Sequence, residues 1–470
     1  MFKIVNYKVS NFNALPKNHL YKLSNLQRME IRELTDNMHV VIIGNGISGT
    51  TAARHIRKKS NCRISLISGE SDYFFSRTAL MYIYMGHLTF DHTKPYEDSF
   101  WSENRLECIR AIVKNVEPTT KKLVFEDGRE LGYDILIIAS GSKPQMFGWE
   151  GQHLQGVQGL YALQDLELLE RQAPNARVCP RAVLVGGGLI GIELAEMLRS
   201  RDIEVTFLVR ENGFWNNVLP NRDSELINKH IRDHHIDLRL NTGLSKILGN
   251  SDGKVQGVIT DTGDEIPCSL VGITTGVTPN IDFLKDSGLE MDKGVLVNDL
   301  LETSIPEIYA IGDCAELRKP EAGRRAIEAV WYTGRLMGET VAETISGNPT
   351  PYSPGNWFNS AKFLDIEYQT YGRVSPDHLR DPKEMHFHWQ HAKLPIGLTF
   401  AFETDSRKFL GLNAFGVRIR HLILDQWITL KLPIEAVINR FNEALFDPEF
   451  SRKHIGDVQG AFIEFKNKSR

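Results

Sequence analysis

The sequence predicts an α/β fold in which one strand–glycine turn–helix unit occurs twice, followed by a smaller α+β region. Two stretches carry this expectation. In Met38 to Gly49, MHVVIIGNGISG, the strand-forming run Val40, Val41, Ile42 and Ile43 leads into Gly44, Gly46 and Gly49, and a helical pattern follows from Thr50 through Arg57. In Arg181 to Gly191, the run Arg181-Ala182-Val183-Leu184-Val185 leads into Gly186, Gly188 and Gly191, with a helix from Leu189 to Arg199. Length agrees, since 470 residues exceed one ordinary domain and imply roughly two to four.

Each stretch has a physical logic. The first glycine allows a tight turn, the second lets a phosphate approach the backbone, and the third lets helix pack on strand. The helix N-terminus then offers backbone N–H groups to a dinucleotide pyrophosphate. After Gly49 a second strand, Arg63 to Ser68, reaches Glu70, at about the spacing of an acid that holds a ribose hydroxyl. Tyr73 to Gly86, YFFSRTALMYIYMG, is an apolar and aromatic helix candidate with Arg77 near its start. Leu123-Val124-Phe125 and the turn Glu126-Asp127-Gly128 signal a hairpin. Tyr133 then opens a strand that runs through Asp134 to Ile138 into Ala139-Ser140-Gly141 and Pro144. The second copy repeats the order: a strand from Glu204 to Val209, a hairpin signal at Thr262-Gly263-Asp264, and a strand ending at Thr275-Gly276 with Pro279 beyond. Matched order over such a length marks an internal duplication.

Beyond the second copy, Ile305 to Asp313 is a short apolar strand that delivers Asp313 at its C-terminal end, where ligands of open α/β sheets bind. A helix over Ala326 to Ser346 closes this part, and Gly347 to Gly355 reads as a linker. From about Asn356 the chain alternates in strand fashion (Phe387, Trp389; Leu398, Phe400, Phe402) and ends in an amphipathic helix near Ile434 to Leu445. Residues 1–37 are polar and irregular and read as an N-terminal extension.

Composition narrows the function. A net charge of −4 leaves no electrostatic footprint for nucleic acid. No apolar run reaches the ~20 residues that span a bilayer, so no transmembrane segment is expected. The N-terminus has no apolar h-region before a small-residue cleavage site. Five scattered cysteines (Cys62, Cys108, Cys179, Cys268, Cys314) fit reduced thiols in a cytoplasm. His386, His388 and His391 alternate with Phe387 and Trp389, which reads as a strand rather than a metal site.

With VVIIGNGISG, ILIIASGSKP, AVLVGGGLIGIELA and IYAIGDCAE in this order, the chain resembles the two-dinucleotide-fold FAD flavoproteins of the pyridine nucleotide oxidoreductase superfamily over about Met38 to Gly347. The resemblance implies two Rossmann-like domains of the glutathione-reductase type, the NAD(P) domain inserted in the FAD domain, plus a C-terminal α+β interface domain that forms a homodimer in relatives. The implied limits are 1–37 for the extension, 38–155 and 280–350 for the FAD domain, 156–279 for the NAD(P) domain and 351–470 for the interface domain. Carried over residue by residue, FAD falls to Gly44, Gly46, Ile47, Ser48, Gly49, Glu70, Arg77, Val113, Ala139, Ser140, Gly141, Gly312, Asp313 and Trp331. NADH or NADPH falls to Gly186, Gly188, Leu189, Ile190, Gly191, Glu193, Arg210, Glu211 and Gly276.

Within that superfamily the cysteines decide the branch. Disulfide reductases need a CxxC or CxxxxC pair beside the flavin, since dithiol chemistry needs two sulfurs in bonding reach; the sequence has neither. NADH oxidases and coenzyme A disulfide reductases carry one cysteine in the helix after the ribose acid, and the slot aligned through Arg77 and Gly86 holds Ala79. The chain is instead similar to the ferredoxin-reductase and nitrite-reductase FAD-domain branch, whose Y-x-R-x-x-L segment matches Phe75-Ser76-Arg77-Thr78-Ala79-Leu80. It departs from that branch at Tyr82, where ferredoxin reductases usually have lysine close to the flavin.

The resemblance implies hydride transfer from the nicotinamide C4 to flavin N5, with the protein supplying alignment and electrostatics. Electrons then pass to a small redox protein of the ferredoxin or rubredoxin type, or to a partner redox subunit. Glu193 and Arg77 are the catalytic candidates. Glu193 either lies near the nicotinamide or is an acid held by the helix N-terminus. Arg77 either faces the flavin or is a solvated helix charge, and Trp331 lies beside the flavin ring or in the core. An acid after the second strand selects NADH and an arginine selects NADPH. Arg210 and Glu211 stand side by side there, and Val209 occupies the usual glutamate position, so the preference stays open. Two alternatives remain. A type II NADH:quinone dehydrogenase needs a basic amphipathic helix, for which Arg418 to Leu432 is interrupted by Asp425. A redox-gated binding protein resembling the apoptosis-inducing flavoproteins would act through NADH-driven changes of partner.

Overall fold

Parallel strands buried on both faces need near-continuous apolar runs, and the two runs ahead of the glycine turns form the central strands of two five-stranded parallel sheets. The computed structural model describes residues 34–446, 452 and 454–468, so most of the N-terminal extension lies outside the described residues. In the first unit, β1 (His39–Ile43) feeds α1 (Ile47–Arg57), which leads to β2 (Arg63–Ser68) and later to β3 (Ile135–Ile138). The sheet order is Ile308–Ala310, β3, β1, β2, Leu106–Arg110. Val40, Val41 and Ile42 have no exposed surface.

The second unit repeats this plan. Here β4 (Arg181–Val185) feeds α2 (Leu189–Arg199), then β5 (Glu204–Val209), α3 (Asn221–Asp233) and later β6 (Leu270–Ile273). Its order is Asp237–Leu240, β5, β4, β6, Val157–Gln158, again parallel throughout. Each unit also carries a three-stranded antiparallel sheet, over 113–132 in the first and 244–267 in the second. The duplication read from motif order is thus a duplication of topology.

Two short strands tie the units together. Ser142–Pro144, leaving the first unit, pairs antiparallel with Val277–Pro279, returning from the second. The chain then completes the first sheet with Ile308–Ala310 and packs α4 (Trp331–Ile345) across α1. Gly334 and Gly338 make that crossing close, because a Cβ on Gly338 would sit 2.5 Å from the Ser48 carbonyl oxygen. The C-terminal region forms a five-stranded antiparallel sheet in the order 358–363, 366–372, 409–415, 397–403, 384–390. His386 and His388 lie on its last strand, Glu384–Gln390, as the alternation implied.

Three helices differ from the sequence reading. The stretch Tyr73 to Gly86 is helical only from Arg77 to Tyr84, because Phe74 and Phe75 are drawn into different cores. Phe74 packs in the first unit, while Phe75, Leu80, Met81 and Tyr84 pack in the second. The helix expected from Ala326 starts at Trp331, since the preceding residues hold a buried Arg324–Glu328 ion pair at 2.6 Å and an extended Val330. The helix expected to Leu445 stops at Asn439, and a tighter turn over Phe441–Ala444 sends Phe441 against Phe400 at 5.2 Å between ring centroids. It is not the final element either, because a further helix spans Ile455–Lys468 and buries Val458 and Phe462.

Replacing Gly338 with valine forces side-chain atoms into the Ser48 backbone, and Gly338→Val is expected to lower stability by about 2–3 kcal/mol. An unchanged urea-unfolding midpoint would contradict the close α1–α4 crossing.

Candidate functional site

The two glycine turns have the same geometry. Gly44 and Gly186 hold φ of +113° and +112°, and a Cβ on either would overlap the carbonyl at the end of the neighbouring strand, Ala139 in one unit and Thr274 in the other. Around Gly46 and Gly188 there is open space, with nothing within 4 Å of a built Cβ. Gly49 and Gly191 are closed again, each facing the carbonyl oxygen of the first glycine of its turn. The only free approach in each turn is therefore at the middle glycine, at the start of a helix.

Both helices begin bare. Neither α1 nor α2 has a side-chain N-cap or an acidic residue in its first turn. The backbone N–H groups of Ile47, Ser48 and Gly49, and of Leu189, Ile190 and Gly191, are at the positive end of a helix dipole and lack the usual capping oxygen. That is the condition for an anion. Two such cradles on one chain fit the pyrophosphates of FAD and of a nicotinamide dinucleotide.

Around the first cradle the structure assembles a polar network from both units. Gly312, at φ +74°, brings its turn against Ser48 of α1. Asp313 then accepts hydrogen bonds from Ser142 Oγ at 3.0 Å and Tyr161 Oη at 3.4 Å. Burial raises the Asp313 pKa above the usual carboxylate range, against these donors and Arg77. Ser142 N donates to Tyr161 Oη at 3.0 Å, and burial pushes that phenol up to about 12. Ser140 Oγ reaches the Asn280 carbonyl at 2.7 Å, and Gly141 turns with φ +69° beside Tyr161. Ser142 lies within the motif ILIIASGSKP without being singled out there, and Tyr161 had no sequence signal, because it acts through contacts made only when the units meet.

Glu70 and Arg77 form a bidentate pair. Arg77 donates to Glu70 Oε1 at 2.8 Å and to Oε2 at 2.6 Å, and its guanidinium lies 4.5 Å from the Tyr161 ring centroid. Leu163 N also donates to Glu70 Oε1, at 2.8 Å. These three bonds leave the carboxylate about one lone-pair direction for a further hydroxyl. Arg77 therefore points at Glu70 and Tyr161 rather than into solvent. Val113 is buried at the start of its strand beyond β2, and Trp331 is half-buried at the first turn of α4, edge-on to Tyr332.

At the second cradle, Glu193 lies one turn inside α2, and burial, with a smaller push from Glu196, raises its pKa to about 7. Glu196 is paired at 2.6 Å with Lys362 of the C-terminal sheet, whose Nζ stands 5.9 Å over the Tyr82 ring. A cation thus reaches Tyr82 from a distant element. Beyond β5, Val209 is fully buried, while the Arg210 side chain is 84 % exposed and 3.4 Å from Glu211. Gly276, at φ +122°, closes the far side, and its carbonyl accepts from Gln145 N at 3.0 Å. All five cysteines are free, and Cys314, beside Asp313, is fully buried with its thiol donating to backbone carbonyls of Ile138 and Ile311. Among the described residues no helix is long and apolar enough to cross a membrane.

Comparison with known proteins agrees with this geometry. The family described as pyridine nucleotide-disulphide oxidoreductase matches residues 38–333. A 5,5'-dehydrodivanillate O-demethylase ferredoxin reductase subunit from Sphingobium sp. is 30 % identical over 71 % of this chain and 81 % of its own. A rubredoxin-NAD(+) reductase from Pseudomonas putida is 27 % identical over 70 % of this chain and 86 % of its own. The fold is similar to that of the reductase in a covalent putidaredoxin reductase–putidaredoxin complex, with TM-score 0.75, 22 % identity, and coverage of 85 % of this chain and 94 % of that one. It is also similar to a NAD-dependent persulfide reductase from A. fulgidus, with TM-score 0.80, 23 % identity, and coverage of 92 % and 84 %.

Two outcomes follow from the charges. Arg77→Met leaves Glu70 without its fork partner and is expected to cost about 2 kcal/mol in urea unfolding, with Arg77→Lys failing to restore it because the bidentate geometry is lost. For Glu193, the folded form holds its proton to about 7 while an ordinary glutamate releases it near 4.5. Stability is therefore expected to fall as pH rises through that window, because the folded state binds more protons there. Unfolding curves at pH 5 and 7.5 should show this fall in the native chain and a flatter response in Glu193→Gln.

Proposed function

Because this chain belongs to the pyridine nucleotide-disulphide oxidoreductase family, and is an FAD-dependent oxidoreductase that takes hydride from NAD(P)H, we propose that it hands the electrons to a small redox protein of the ferredoxin or rubredoxin type. The observation that carries this is the pair of open glycine cradles on one chain without a reactive thiol beside them. Relatives named as ferredoxin and rubredoxin reductases support the same acceptor class. Cys314 is buried and its thiol is raised by burial, so it is a poor thiolate. Electrons then leave from the flavin itself, the chemistry FAD supplies when bound.

In this reading, Gly44, Gly46 and Gly49 with Glu70, Ser140 and Asp313 hold FAD, and Gly186, Gly188 and Gly191 hold the nicotinamide nucleotide. Glu193 lines the approach between them. Residues 38–155 and 280–350 form the FAD domain, 156–279 the NAD(P) domain, and 351–470 the interface domain through which a homodimer forms. The five free thiols suit a reducing compartment such as the cytoplasm. The nicotinamide preference is for NADPH: no acid stands at the buried Val209, and Arg210, exposed beside Glu211, offers a charged partner for a 2′-phosphate.

Anaerobic stopped-flow with each nucleotide tests this. NADPH is expected to bleach the flavin band faster than NADH, and a one-electron iron–sulfur protein is expected to reoxidise the reduced enzyme. Arg210→Ala should lower kcat/KM for NADPH by about tenfold, the loss of one charge-assisted hydrogen bond, with little effect on NADH. A flavin that neither nucleotide bleaches would overturn the reductase reading, and reduced enzyme that no iron–sulfur acceptor reoxidises would overturn the acceptor.

A further inference from the structure

A second polar cluster lies away from both cradles, where α3 of the second unit meets the C-terminal sheet. His230 and His234 are one helical turn apart at the end of α3, so their rings share a face, with centroids 4.3 Å apart. Opposite them is Asp365, in the two-residue turn between strands Phe358–Phe363 and Ile366–Gly372. Leu364 in that turn holds φ +56°, and Asp365 faces the helix. Its Oδ1 is 2.5 Å from His230 Nε2 and 3.3 Å from His234 Nε2.

One contact fixes the chemistry. His234 Nδ1 lies 2.9 Å from the His230 carbonyl oxygen, which can only accept, so that nitrogen carries the proton. In the neutral ring, Nε2 then turns a lone pair toward the Asp365 oxygen. That 3.3 Å approach is satisfied by a proton on the ring or by a cation held by both atoms, and a carbonyl holding the other ring nitrogen is the usual support of a metal-bound histidine. We propose that His230 Nε2, His234 Nε2 and Asp365 Oδ1 bind a divalent first-row metal of the zinc class, joining the second unit to the C-terminal sheet.

The dimensions allow it. All three ligand atoms lie within 4.8 Å of one another. Tetrahedral zinc with bonds of about 2.0–2.1 Å needs ligand separations of roughly 3.4 Å. The Asp365 side chain is 71 % exposed and can swing outward to open its short contact, while His230, 8 % exposed, anchors the site. Solvent fills the fourth position, as in three-ligand zinc sites. The His-x-x-x-His spacing in the sequence is the signal that could have found it.

The test uses the full-length protein, stripped with a chelator and then titrated with Co2+. The expected result is one equivalent of Co2+ with the visible ligand-field bands of four-coordination, displaced by Zn2+. In calorimetry, His234→Ala and Asp365→Ala should each weaken Zn2+ binding by at least about tenfold, while flavin reduction by nicotinamide nucleotide stays unchanged. Both residues are partly exposed, so these variants keep the fold even if His230→Ala does not. Absence of the Co2+ bands, or Zn2+ affinity unaltered in both variants, would leave a plain histidine–aspartate pair and overturn the proposal.

Discussion

The first glycine of each turn is pinned between two requirements. Its positive φ is a conformation that L side chains rarely adopt, and the space where a Cβ would go is filled by a carbonyl of the neighbouring strand. Strand, turn, helix and neighbouring strand are therefore fixed together at one atom-to-atom contact, Gly44 against Ala139 in one unit and Gly186 against Thr274 in the other. Everything that follows those strand ends inherits the alignment. Ser140, Gly141 and Ser142 stand where they do because Ala139 N bonds Ile43 O at 2.8 Å and its carbonyl faces Gly44. Asp313 arrives beside them because Ile308–Ala310 pairs with β3.

What the sequence exposes is what is local. A glycine triplet between a buried strand and a helix is written in a dozen consecutive residues, and α2 and β5 fall where their hydrophobic patterns end. The aspartate after Ile311 is legible for the same reason. The partners of these residues are not local. Arg77 is separated from Glu70 by seven positions but from Tyr161 by 84. No pattern links Lys362 to Glu196 or Tyr82, since they meet through three different elements.

Two of the three helix differences have one physical origin. Periodicity reports that a segment has an apolar face, not how many cores that face must serve. Tyr73 to Gly86 looks like one helix because it is continuously apolar, yet it spans the seam between two cores and only its second half coils. The segment then clamps the second unit: Arg201 stacks on the Tyr84 ring at 3.5 Å, donates to its carbonyl oxygen, and pairs with Glu170 at 2.6 Å. The break after Asn439 is similar, with Phe441 reaching for Phe400 instead of continuing the helical stripe.

The short ribbon in which Ser142–Pro144 runs against Val277–Pro279 has a consequence for how this chain is put together. Paired antiparallel strands lie about 5 Å apart, so the chain leaves for the second unit and comes back at nearly one point. Everything from Gln145 to Gly276 is a loop of sequence that starts and finishes at the same doorway. Such a segment is a cassette: its two ends sit together, so a module that presents the same packing face to Phe75, Leu80, Met81 and Tyr84 can take its place without stretching the remainder. Tyr161 and Leu163 lie inside that segment yet bond Asp313 and Glu70 outside it, so a module put in its place must carry the same two contacts to keep the network at the first glycine turn intact.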